Sequence, residues 1–458
     1  MAITAQPQQD AQNLEDYTRE FDDVDKTREL IYSGVLSAVA KRFPMEDDEY
    51  RLELHNPRYA GPLEFGLEAQ KQALMKNRNL TTPIVGKWRL VHKPTNKVVE
   101  EREDSVMQVP YYTQRGTFVN NGSEYTVISQ ARLRPGVYVR KQRTGEIEGH
   151  FNVKPGTGRP FRVQLEPKTG VFKVAIGQAR LPLYPMMRAL GATDKQLAQT
   201  WGPELLSANS RDVDPRALSG LYSHMAGYNA DENLDDDSKS RYLAENLPKF
   251  ELDAGVVART LGLQGASGVT SDVLLRTTAK MLGVSRGEEE PDDRDSPRFS
   301  GIMGVEDLMK ERVEKDAGKL AKNLMRKIRR AKSLKPVYRN ALNPYIDSLM
   351  HSSLASPLEE TNPLHVLEQL NRVTKLGEGG IGSAEAITDE ARDVNPGNMG
   401  FVDPIAGPEN ENIGIDFRTA YKTFKGKDGR LYGEFVDRAG ETVRVAADDA
   451  IDSVVGFP

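Results

Sequence analysis

Apolar residues four positions apart predict the first helix of the chain. Ile31, Val35 and Val39 share one face of that helix, and Pro44 follows it, where a helix cannot continue. The preceding residues, 1–25, are rich in Gln and Asp and poor in large apolar side chains. We therefore expect a flexible arm before the helix.

Alternating apolar and polar residues predict strands in the next part of the chain. Residues 84–100 alternate in this way, and residues 116–130 have the pattern of a hairpin. Asn121-Gly122 is the dipeptide that a type I′ turn needs, because both central residues take positive φ. Arg134-Pro-Gly-Val-Tyr138 then predicts a turn after the second strand of the hairpin.

A second hairpin and a short helix are predicted further along. Residues 161–165 and 172–176 alternate on either side of the turn sequence 167–170. The pattern then indicates a helix from Leu183 to Leu190, which ends at Gly191, a typical helix-stopping position.

Residues 195–290 are mostly helical in pattern and contain two acidic clusters. One lies at 231–237 and the other at 288–295, and we expect each to be a solvated loop. The second cluster also has Gly287 and Pro291 beside it, which predicts a domain boundary near residue 291.

Residues 304–334 are predicted to form one long amphipathic helix. The apolar residues that share roughly one face are Leu308, Val313, Leu320, Leu324 and Ile328. The end of this helix is basic, and residues 319–335 contain no acid. The cations are Lys319, Lys322, Arg326, Lys327, Arg329, Arg330, Lys332 and Lys335. These cations either complement the helix dipole or contact phosphate, and the sequence leaves both interpretations open.

Residues 361–416 are dense in Gly, Asn, Pro and Asp and show little periodicity. A loop-rich segment of this length is unusual unless it forms a site. The tail, 417–458, returns to short strands, with turns expected at 427–429 and 438–440.

These elements together predict an α+β fold, and 458 residues are enough for two to four domains. The absence of cysteine excludes disulfides, thiolate zinc sites, iron–sulfur clusters and cysteine nucleophiles. No apolar run reaches the roughly 18–20 residues of a membrane span, and the first ten residues are too polar for a secretory signal. The net charge is −5, so any contact with nucleic acid is expected to be local.

The motifs of nucleotide and metal chemistry give little support to a catalytic centre. Gly377-Glu-Gly379-Gly-Ile-Gly382 fits a dinucleotide-binding pattern, but residues 366–376 before it look helical, whereas that fold needs a strand there. No Walker-type phosphate loop and no three-aspartate magnesium motif occurs. Asp212 and Asp214 are expected to be turn or cap residues. No two histidines are spaced as zinc ligands among His55, His92, His150, His224, His351 and His365.

Two separated blocks of motifs resemble the β subunit of bacterial-type multisubunit RNA polymerase. The first is Gly116–Val139, with a Gly-Thr-Phe entry, the Asn-Gly turn, a Ser-Gln pair and a Pro-Gly-Val-aromatic exit. Arg180–Pro182 and Arg188–Gly191 follow in the family's order. The matching positions of the second block are Asn362–Leu364, Arg372, Leu376–Gly377, Gly379–Gly380, Arg392–Val394, Pro396, Gly400, Val402, Pro404–Ile405, Pro408–Glu409 and Asn412–Gly414.

The resemblance implies the architecture of the N-terminal part of a β subunit. The implied parts are protrusion-like at 26–150 and 292–357, lobe-like at 151–291, fork-like at 358–416, and the start of a β-rich domain at 417–458. Family members continue well past the position that matches Pro458. The resemblance therefore suggests one half of a split β subunit, similar to those of giant bacteriophages.

The resemblance also implies site residues, while catalytic and metal-binding residues are expected to be absent from this chain. The positions implied to bind nucleic acid are Arg372, Thr374, Gly377, Gly379, Gly380, Arg392, Pro408, Glu409 and Asn412. The positions implied to line a pocket are Arg134, Pro135, Gly136, Val137, Glu359 and Gln369.

A DNA-directed RNA polymerase is a nucleotidyltransferase of several subunits, and the resemblance implies its partners. They are the C-terminal half of β, one or more β′-like subunits, template DNA and nascent RNA, with no membrane. Magnesium is expected in the β′-like subunit. The implied setting is the cytoplasm of a bacterial host during infection, or a phage virion.

The sequence departs from the family at the loop after the glycines. That loop is basic in the family, whereas residues 383–391 contain no Lys or Arg, and Asn410-Glu411 replaces Gly-Pro. The positions that match the rifampicin pocket carry unusual side chains, which suggests resistance to that antibiotic. They are Ser356, Glu359, Gln369 and Thr374.

Two other functions remain open. The altered loop favours a non-catalytic virion or regulatory protein that kept the β-like fold and binds nucleic acid or a host polymerase. The glycine pattern alone supports an unrelated enzyme with a nucleotide cofactor.

Overall fold

The computed structural model describes residues 19–20, 23–142, 145–211, 216–227, 233–315, 317–393 and 395–456. The predicted α+β class is confirmed. The helices are α1 Val24–Lys41, α2 Leu67–Met75, α3 Tyr184–Ala189, α4 Asp194–Trp201, α5 Pro203–Ser210, α6 Arg216–Ala226, α7 Asp236–Asn246, α8 Ala254–Leu261, α9 Ser271–Arg286, α10 Val305–Glu314, α11 Ala317–Ala331, α12 Asn343–Met350, α13 Pro363–Leu370 and α14 Ala447–Ala450.

Twenty strands in the described residues form five small sheets. They are β1 Arg19–Glu20, β2 Met45–Glu46, β3 Tyr50–Tyr59, β4 Thr81–His92, β5 Lys97–Pro110, β6 Phe118–Asn120, β7 Ser123–Val127, β8 Ser129–Leu133, β9 Gly136–Lys141, β10 Ile147–Asn152, β11 Phe161–Leu165, β12 Phe172–Ile176, β13 Ala179–Pro182, β14 Ser300–Met303, β15 Ala355–Pro357, β16 Arg372–Thr374, β17 Asp416–Arg418, β18 Thr423–Lys425, β19 Leu431–Val436 and β20 Thr442–Ala446.

The chain divides into two compact units, and the second is inserted into the sequence of the first. The first unit is Met1–Arg132 with Asp295–Pro458, and the second is Leu133–Arg294. Strands β9 and β10 therefore belong to the second unit, although the resemblance assigned most of their residues to the protrusion-like part. The domain ranges implied by the resemblance stay a prediction.

The first unit has one large apolar core. Helix α1 begins where the Asp23 side chain accepts a hydrogen bond from the Lys26 N–H at 2.9 Å, and it buries Ile31, Val35 and Val39 as predicted. The core is completed by the sheet β2-β3-β4-β5 and by side chains of α10, α11 and α12. Residues up to 119 and residues from 305 onward thus share this core.

The predicted hairpin is confirmed as β6 and β7. Asn121 and Gly122 have φ of +48° and +77°, as a type I′ turn requires. Strand β7 pairs on its other edge with β15, so that Ser356 lies opposite Thr126.

The second unit is an antiparallel sheet in the order β13-β12-β11-β10-β9, packed with helices α3 to α9. The predicted hairpin is confirmed, and Gly170 of its turn has φ +69°. The predicted short helix is α3, followed by Gly191 at φ +86°. The mostly helical pattern of 195–290 is also confirmed, as α4 to α9.

The prediction of one long helix over 304–334 is wrong. Helix α10 ends at Glu314, and Lys315 takes an extended conformation with ψ 147°. The Lys315 carbonyl accepts a hydrogen bond from the guanidinium of Arg42 at 3.2 Å, which supplies a partner from outside the helix. The apolar face continues across the break, because Val313 and Ile328 are both fully buried.

The acidic clusters are only partly solvated loops. Asp235 caps α7 by accepting from the Ser238 N–H, and Asp236 and Asp237 lie in the first turn of that helix. The side chain of Asp292 is only 9% exposed and lies 2.7 Å from Lys280 Nζ, and its carboxylate also accepts from the Val139 N–H at 2.8 Å. Four of the acids considered above lie outside the described residues: Asp212, Asp214, Asp231 and Glu232.

The tail forms the sheet β1-β18-β19-β20, and its predicted turns are confirmed at Gly429 and Gly440, with φ of +78° and +86°. Strand β1 falls within the arm expected to be flexible, most of which lies outside the described residues. Lys425 of β18 forms a buried ion pair with Glu306 of α10, at 2.8 Å. This pair joins the tail to the helix that lines the large core.

Candidate nucleic-acid interface

A four-stranded sheet positions the fork-like segment. Its order is β14-β8-β16-β17, with β16 parallel to β8 and antiparallel to β17. Arg372 and Thr374 lie at the two ends of β16, opposite Arg418 and Asp416. Thr374 is buried and its hydroxyl accepts from the Leu376 N–H at 3.1 Å. The expectation that residues 366–376 form a helix is therefore wrong, because α13 ends at Leu370 and strand β16 follows it.

The glycines after β16 form a tight turn. The Ile381 N–H donates to the Lys375 carbonyl, and the Gly377 N–H donates to the Ile381 carbonyl, each at 2.9 Å. Gly377 and Gly379 have φ of +104° and +92°, which side chains rarely adopt. A one-turn 3₁₀ helix follows at 384–386, instead of the long helix that a dinucleotide fold needs.

A clamp of polar side chains holds this turn. Gln130 Nε2 donates to the Leu376 carbonyl at 2.6 Å, and Arg132 Nη2 donates to the Glu378 carbonyl at 2.9 Å. The Glu378 carboxylate forms ion pairs with Arg312 and Lys315, at the end of α10. Sequence reasoning missed this clamp. The available signal was an acid between two glycines, and its cationic partners are distant in sequence.

The cations of the fork-like segment are engaged within the protein. Arg372 Nη2 lies 2.6 Å from Asp416 Oδ2, and Arg392 donates to the Glu411 and Ile413 carbonyls at 2.5 and 3.1 Å. Lys375 Nζ donates to the Ala391 carbonyl at 2.6 Å, and burial lowers the pKa of this lysine. Each charge that could meet a phosphate therefore already has an internal partner.

The segment 408–412 presents polar groups that are not engaged. Pro408 is half-buried and Glu409 is exposed. The Asn412 carbonyl accepts from the Ile415 and Asp416 N–H groups, at 2.9 and 3.0 Å, which fixes its backbone. Among the described residues, no partner contacts the carboxylate of Glu409 or the side-chain amide of Asn412, so both can accept or donate hydrogen bonds to a ligand.

The charge of the segment is strongly acidic. Residues 377–413 contain one cation, Arg392, and the acids Glu378, Glu385, Asp389, Glu390, Asp393, Asp403, Glu409 and Glu411. Such a surface repels a phosphate backbone by Coulomb forces. Recognition of nucleic acid here would depend on hydrogen bonds and backbone shape.

The residues implied to line a pocket fall in both compact units. In the second unit, Arg134 pairs with Asp253 at 2.6 Å, and Val137 is fully buried in the core. A side chain at Gly136 would meet Val256 at 2.3 Å, and Pro135 accepts from the Asp253 N–H at 3.1 Å through its carbonyl.

In the first unit, Glu359 is exposed, and Gln369 Nε2 lies 3.0 Å from His365 Nε2. The Gln369 Oε1 atom is buried and has no hydrogen-bond partner among the described atoms. The acid and the amide therefore differ sharply in their access to a ligand.

Within the described ranges, no group of three or more His, Asp or Glu residues is arranged to hold a metal ion. None of the helices in those ranges is long and apolar enough to span a membrane.

Comparison with known proteins shows which proteins the chain resembles. The family described as RNA polymerase Rpb2, domain 3, matches residues 357–420, which include the whole fork-like segment. The β subunit of DNA-directed RNA polymerase from Thermus thermophilus is 26% identical over 427 residues, and the match covers 83% of this chain and 37% of that protein. The chain resembles RNA polymerase β subunits.

Further β subunits show the same similarity. The one from Synechococcus elongatus is 24% identical over 85% of this chain and 37% of its own length, and the one from Gloeobacter violaceus is 23% identical over 93% and 41%. The chain thus spans about two fifths of the β subunits that it matches, and it corresponds to their N-terminal part. The predicted resemblance is confirmed.

Proposed function

We propose that this chain is the N-terminal part of β in a multisubunit DNA-dependent RNA polymerase, where it helps to form the cleft for DNA and RNA. The observation that carries the proposal is the match of residues 357–420 to a β-subunit domain, in a segment that folds as a clamped turn followed by exposed polar groups. Glu409 and Asn412 would contact sugar or base edges, and the glycines would let the backbone approach a strand closely.

The surface of this segment supports a role inside a larger assembly. Large apolar side chains are exposed on α13, the fork-like segment and the tail, among them Leu364, Met399, Ile405, Tyr421, Val436 and Val454. Contiguous exposed apolar patches mark contacts with other proteins, and we infer that these side chains contribute to such contacts. The chain would therefore act with partners, and the β′-like partner would supply the carboxylates that bind magnesium for nucleotidyl transfer.

We infer further that a separate chain supplies the remaining part of β, as in the split polymerases of giant bacteriophages. Support comes from the Asp292–Asp295 return before α10, which resembles that group, and from the acid-rich loop. The enzyme would act in the cytoplasm of an infected bacterium or be packaged in a virion.

The test is to tag the chain, purify it from its native source, identify what co-purifies, and assay RNA synthesis with rifampicin present. We expect a C-terminal β-like chain, a β′-like chain with an aspartate triad, and template-dependent synthesis. Recovery of the chain alone, or with a host polymerase and no activity of its own, would contradict the proposal.

We also expect the activity to resist rifampicin. Ser356 is held in β15 against Thr126, and the Thr374 hydroxyl already accepts from the Leu376 N–H, so we expect both side chains to be constrained for the contacts of a typical β pocket. Inhibition at concentrations that stop the host enzyme would refute the resistance but would leave the subunit assignment intact.

A non-catalytic relative that binds a host polymerase is the second candidate. The acidic balance of residues 377–413 favours it, because this loop lacks the positive charge that the family uses beside DNA. The same purification separates the two, since only the first candidate brings its own β′-like chain.

A further inference from the structure

The basic residues after α10 are concentrated without any acid. Residues 317–346 contain no Asp or Glu. The cations in this stretch are Lys319, Lys322, Arg326, Lys327, Arg329, Arg330, Lys332, Lys335 and Arg339. We call the described side chains among them, from Lys322 to Arg339, the basic face.

The core of the first unit fixes the direction of the basic face. Met325, Ile328 and Leu334 are at most 2% exposed and pack in that core. All cations of the basic face are exposed. The helix therefore cannot turn these charges inward without losing its buried apolar side.

Six cations of the basic face differ from other charged side chains of the first unit, because no described carboxylate pairs with them. Arg372, Arg418 and Arg312 each form an ion pair with a carboxylate. No described carboxylate pairs with the six cations at 326, 327, 329, 330, 332 and 335, and Arg326 makes only a hydrogen bond to Asn323, at 3.3 Å.

The helix dipole explains only some of these charges. A cation stabilises the last turn of a helix by about 0.3–1 kcal/mol, and Arg329 and Arg330 lie in that turn of α11. Lys322 and Arg326 lie before it, and Lys332 lies after it. Arg326 and Arg330 are four residues apart, so they repel each other and destabilise the helix by about 0.2–0.5 kcal/mol. A bound polyanion would remove this repulsion.

The polar and aromatic neighbours favour duplex DNA as that polyanion. Tyr338 is 67% exposed between Lys335 and Arg339, and a tyrosine hydroxyl can donate to a phosphate. A single-stranded site needs several aromatic rings for stacking, whereas residues 317–340 contain only this one. Duplex DNA also has one charge per about 1.7 Å of its axis, which suits a row of cations along a helix.

We propose that the basic face binds the phosphate backbone of duplex DNA without reading its sequence. The proposal deepens the proposed function, since it adds a DNA contact outside the fork-like segment. Because the chain is acidic overall, the basic face would also orient a duplex toward one side of the first unit.

The test compares two triple variants of the full-length chain. Arg326→Gln/Arg329→Gln/Arg330→Gln removes three charges from the basic face. Lys71→Gln/Lys76→Gln/Arg78→Gln removes the same number of exposed charges around α2 and serves as the matched control. Binding of a fluorescent duplex is measured by anisotropy between about 50 and 200 mM salt.

We expect the first variant to lower the slope of log affinity against log salt by about 2 to 3, because each phosphate contact contributes about 0.9. The control should keep the slope of the parent chain. Equal slopes in all three proteins, or an equal loss in the control, would overturn the proposal. A chain that binds an acidic protein but no duplex at low salt would overturn it as well.

A second variant keeps the test decisive if α11 does not tolerate the first. Lys332→Gln/Lys335→Gln/Tyr338→Ala alters only residues after the helix, and it should also lower the slope. The result is independent of RNA synthesis. If the assembly is inactive in RNA synthesis but the variants lower the salt slope as expected, only the proposed function is contradicted. If the assembly is active but the variants keep the salt slope of the parent chain, only the proposal for the basic face is contradicted.

Discussion

The resemblance to β subunits implies that Arg372 contacts nucleic acid, but its guanidinium forms an ion pair with the Asp416 carboxylate, at 2.6 Å. The Asp416 side chain is 6% exposed, so removal of Arg372 leaves a buried carboxylate without its cation. We expect Arg372→Ala to lower the free energy of unfolding by about 2–3 kcal/mol. Urea unfolding of the full chain, followed through Trp88 in a Trp201→Phe background, measures this loss.

Arg418 provides the matched control, because it lies opposite Arg372 in the same sheet. The partner of Arg418 is Glu368, which is 46% exposed. Arg418→Ala should therefore lower the free energy of unfolding by less than about 1 kcal/mol. An equal loss in the two variants would show that the burial of Asp416 does not decide the effect.

His150 makes the second unit sensitive to acid. Burial, and next the nearby guanidinium groups of Arg294 and Arg162, lower the pKa of His150 to about 4. Between that value and about 6.5, the unfolded chain binds a proton that the folded chain does not, so stability falls as the pH falls through this window. The free energy of unfolding of the second unit should be lower by about 2–3 kcal/mol at pH 4 than at neutral pH. His150→Gln should abolish it.

Fluorescence of Trp201 in a Trp88→Phe background monitors the second unit, because the chain has two tryptophans. His224→Gln is the control, since it removes another histidine of the same unit. If the His150 variant lost stability in acid as steeply as its parent, another group would have to account for the acid sensitivity.

At the scale of elements, the glycine turn and its clamp depend on each other. A Cβ at Gly379 would lie 2.4 Å from the Arg132 guanidinium carbon, and φ there is +92°. We expect Gly379→Ala to destabilise the first unit by about 1–3 kcal/mol and to speed amide exchange at 375–382. Urea unfolding and hydrogen exchange test both effects.

Gly382→Ala is the control for this prediction. Nothing lies within 4 Å of a Cβ at Gly382, and its φ is not positive. The free energy of unfolding should therefore change by no more than about 0.5 kcal/mol. Similar exchange rates in the two variants would mean that the clamp does not hold the turn.

Local elements could be predicted from the sequence because their determinants are local. Asn121 and Gly122 specify a turn by themselves, and the alternation at 172–176 needs only one buried sheet face. The break at Lys315 could not be predicted, since Arg42, which binds its carbonyl, lies far away in sequence. The same holds for the clamp, because Arg132 and Arg312 reach Glu378 only in the folded chain.

At the scale of the whole molecule, the exposed apolar residues predict an interface. Ile405 and Tyr421 are each 91% exposed, and burial of such side chains typically contributes about 1.5–3 kcal/mol each. Ile405→Gln/Tyr421→Gln should therefore weaken capture of partner chains about tenfold or more, with unchanged stability of the isolated chain. Quantitative co-purification measures this.

The control for the interface is Leu67→Gln/Met75→Gln. These residues of α2 are 77% and 75% exposed, but they lie outside the fork-like segment and the tail. Partner recovery should stay at the level of the parent chain. A comparable loss in both variants would indicate a general effect of surface hydrophobicity.

The insertion of the second unit sets the order of events on the ribosome. Asn340 donates its N–H to the Ser105 carbonyl at 2.7 Å, and these residues are 235 positions apart. At about 5–20 residues per second, Asn340 is made roughly 10 to 50 seconds after Ser105. The sheet β3-β4-β5 waits that long for α12, whereas the apolar core of the second unit is built only from residues 137–284. The inserted unit thus completes its fold first during synthesis, and the nascent sheet needs protection in the meantime.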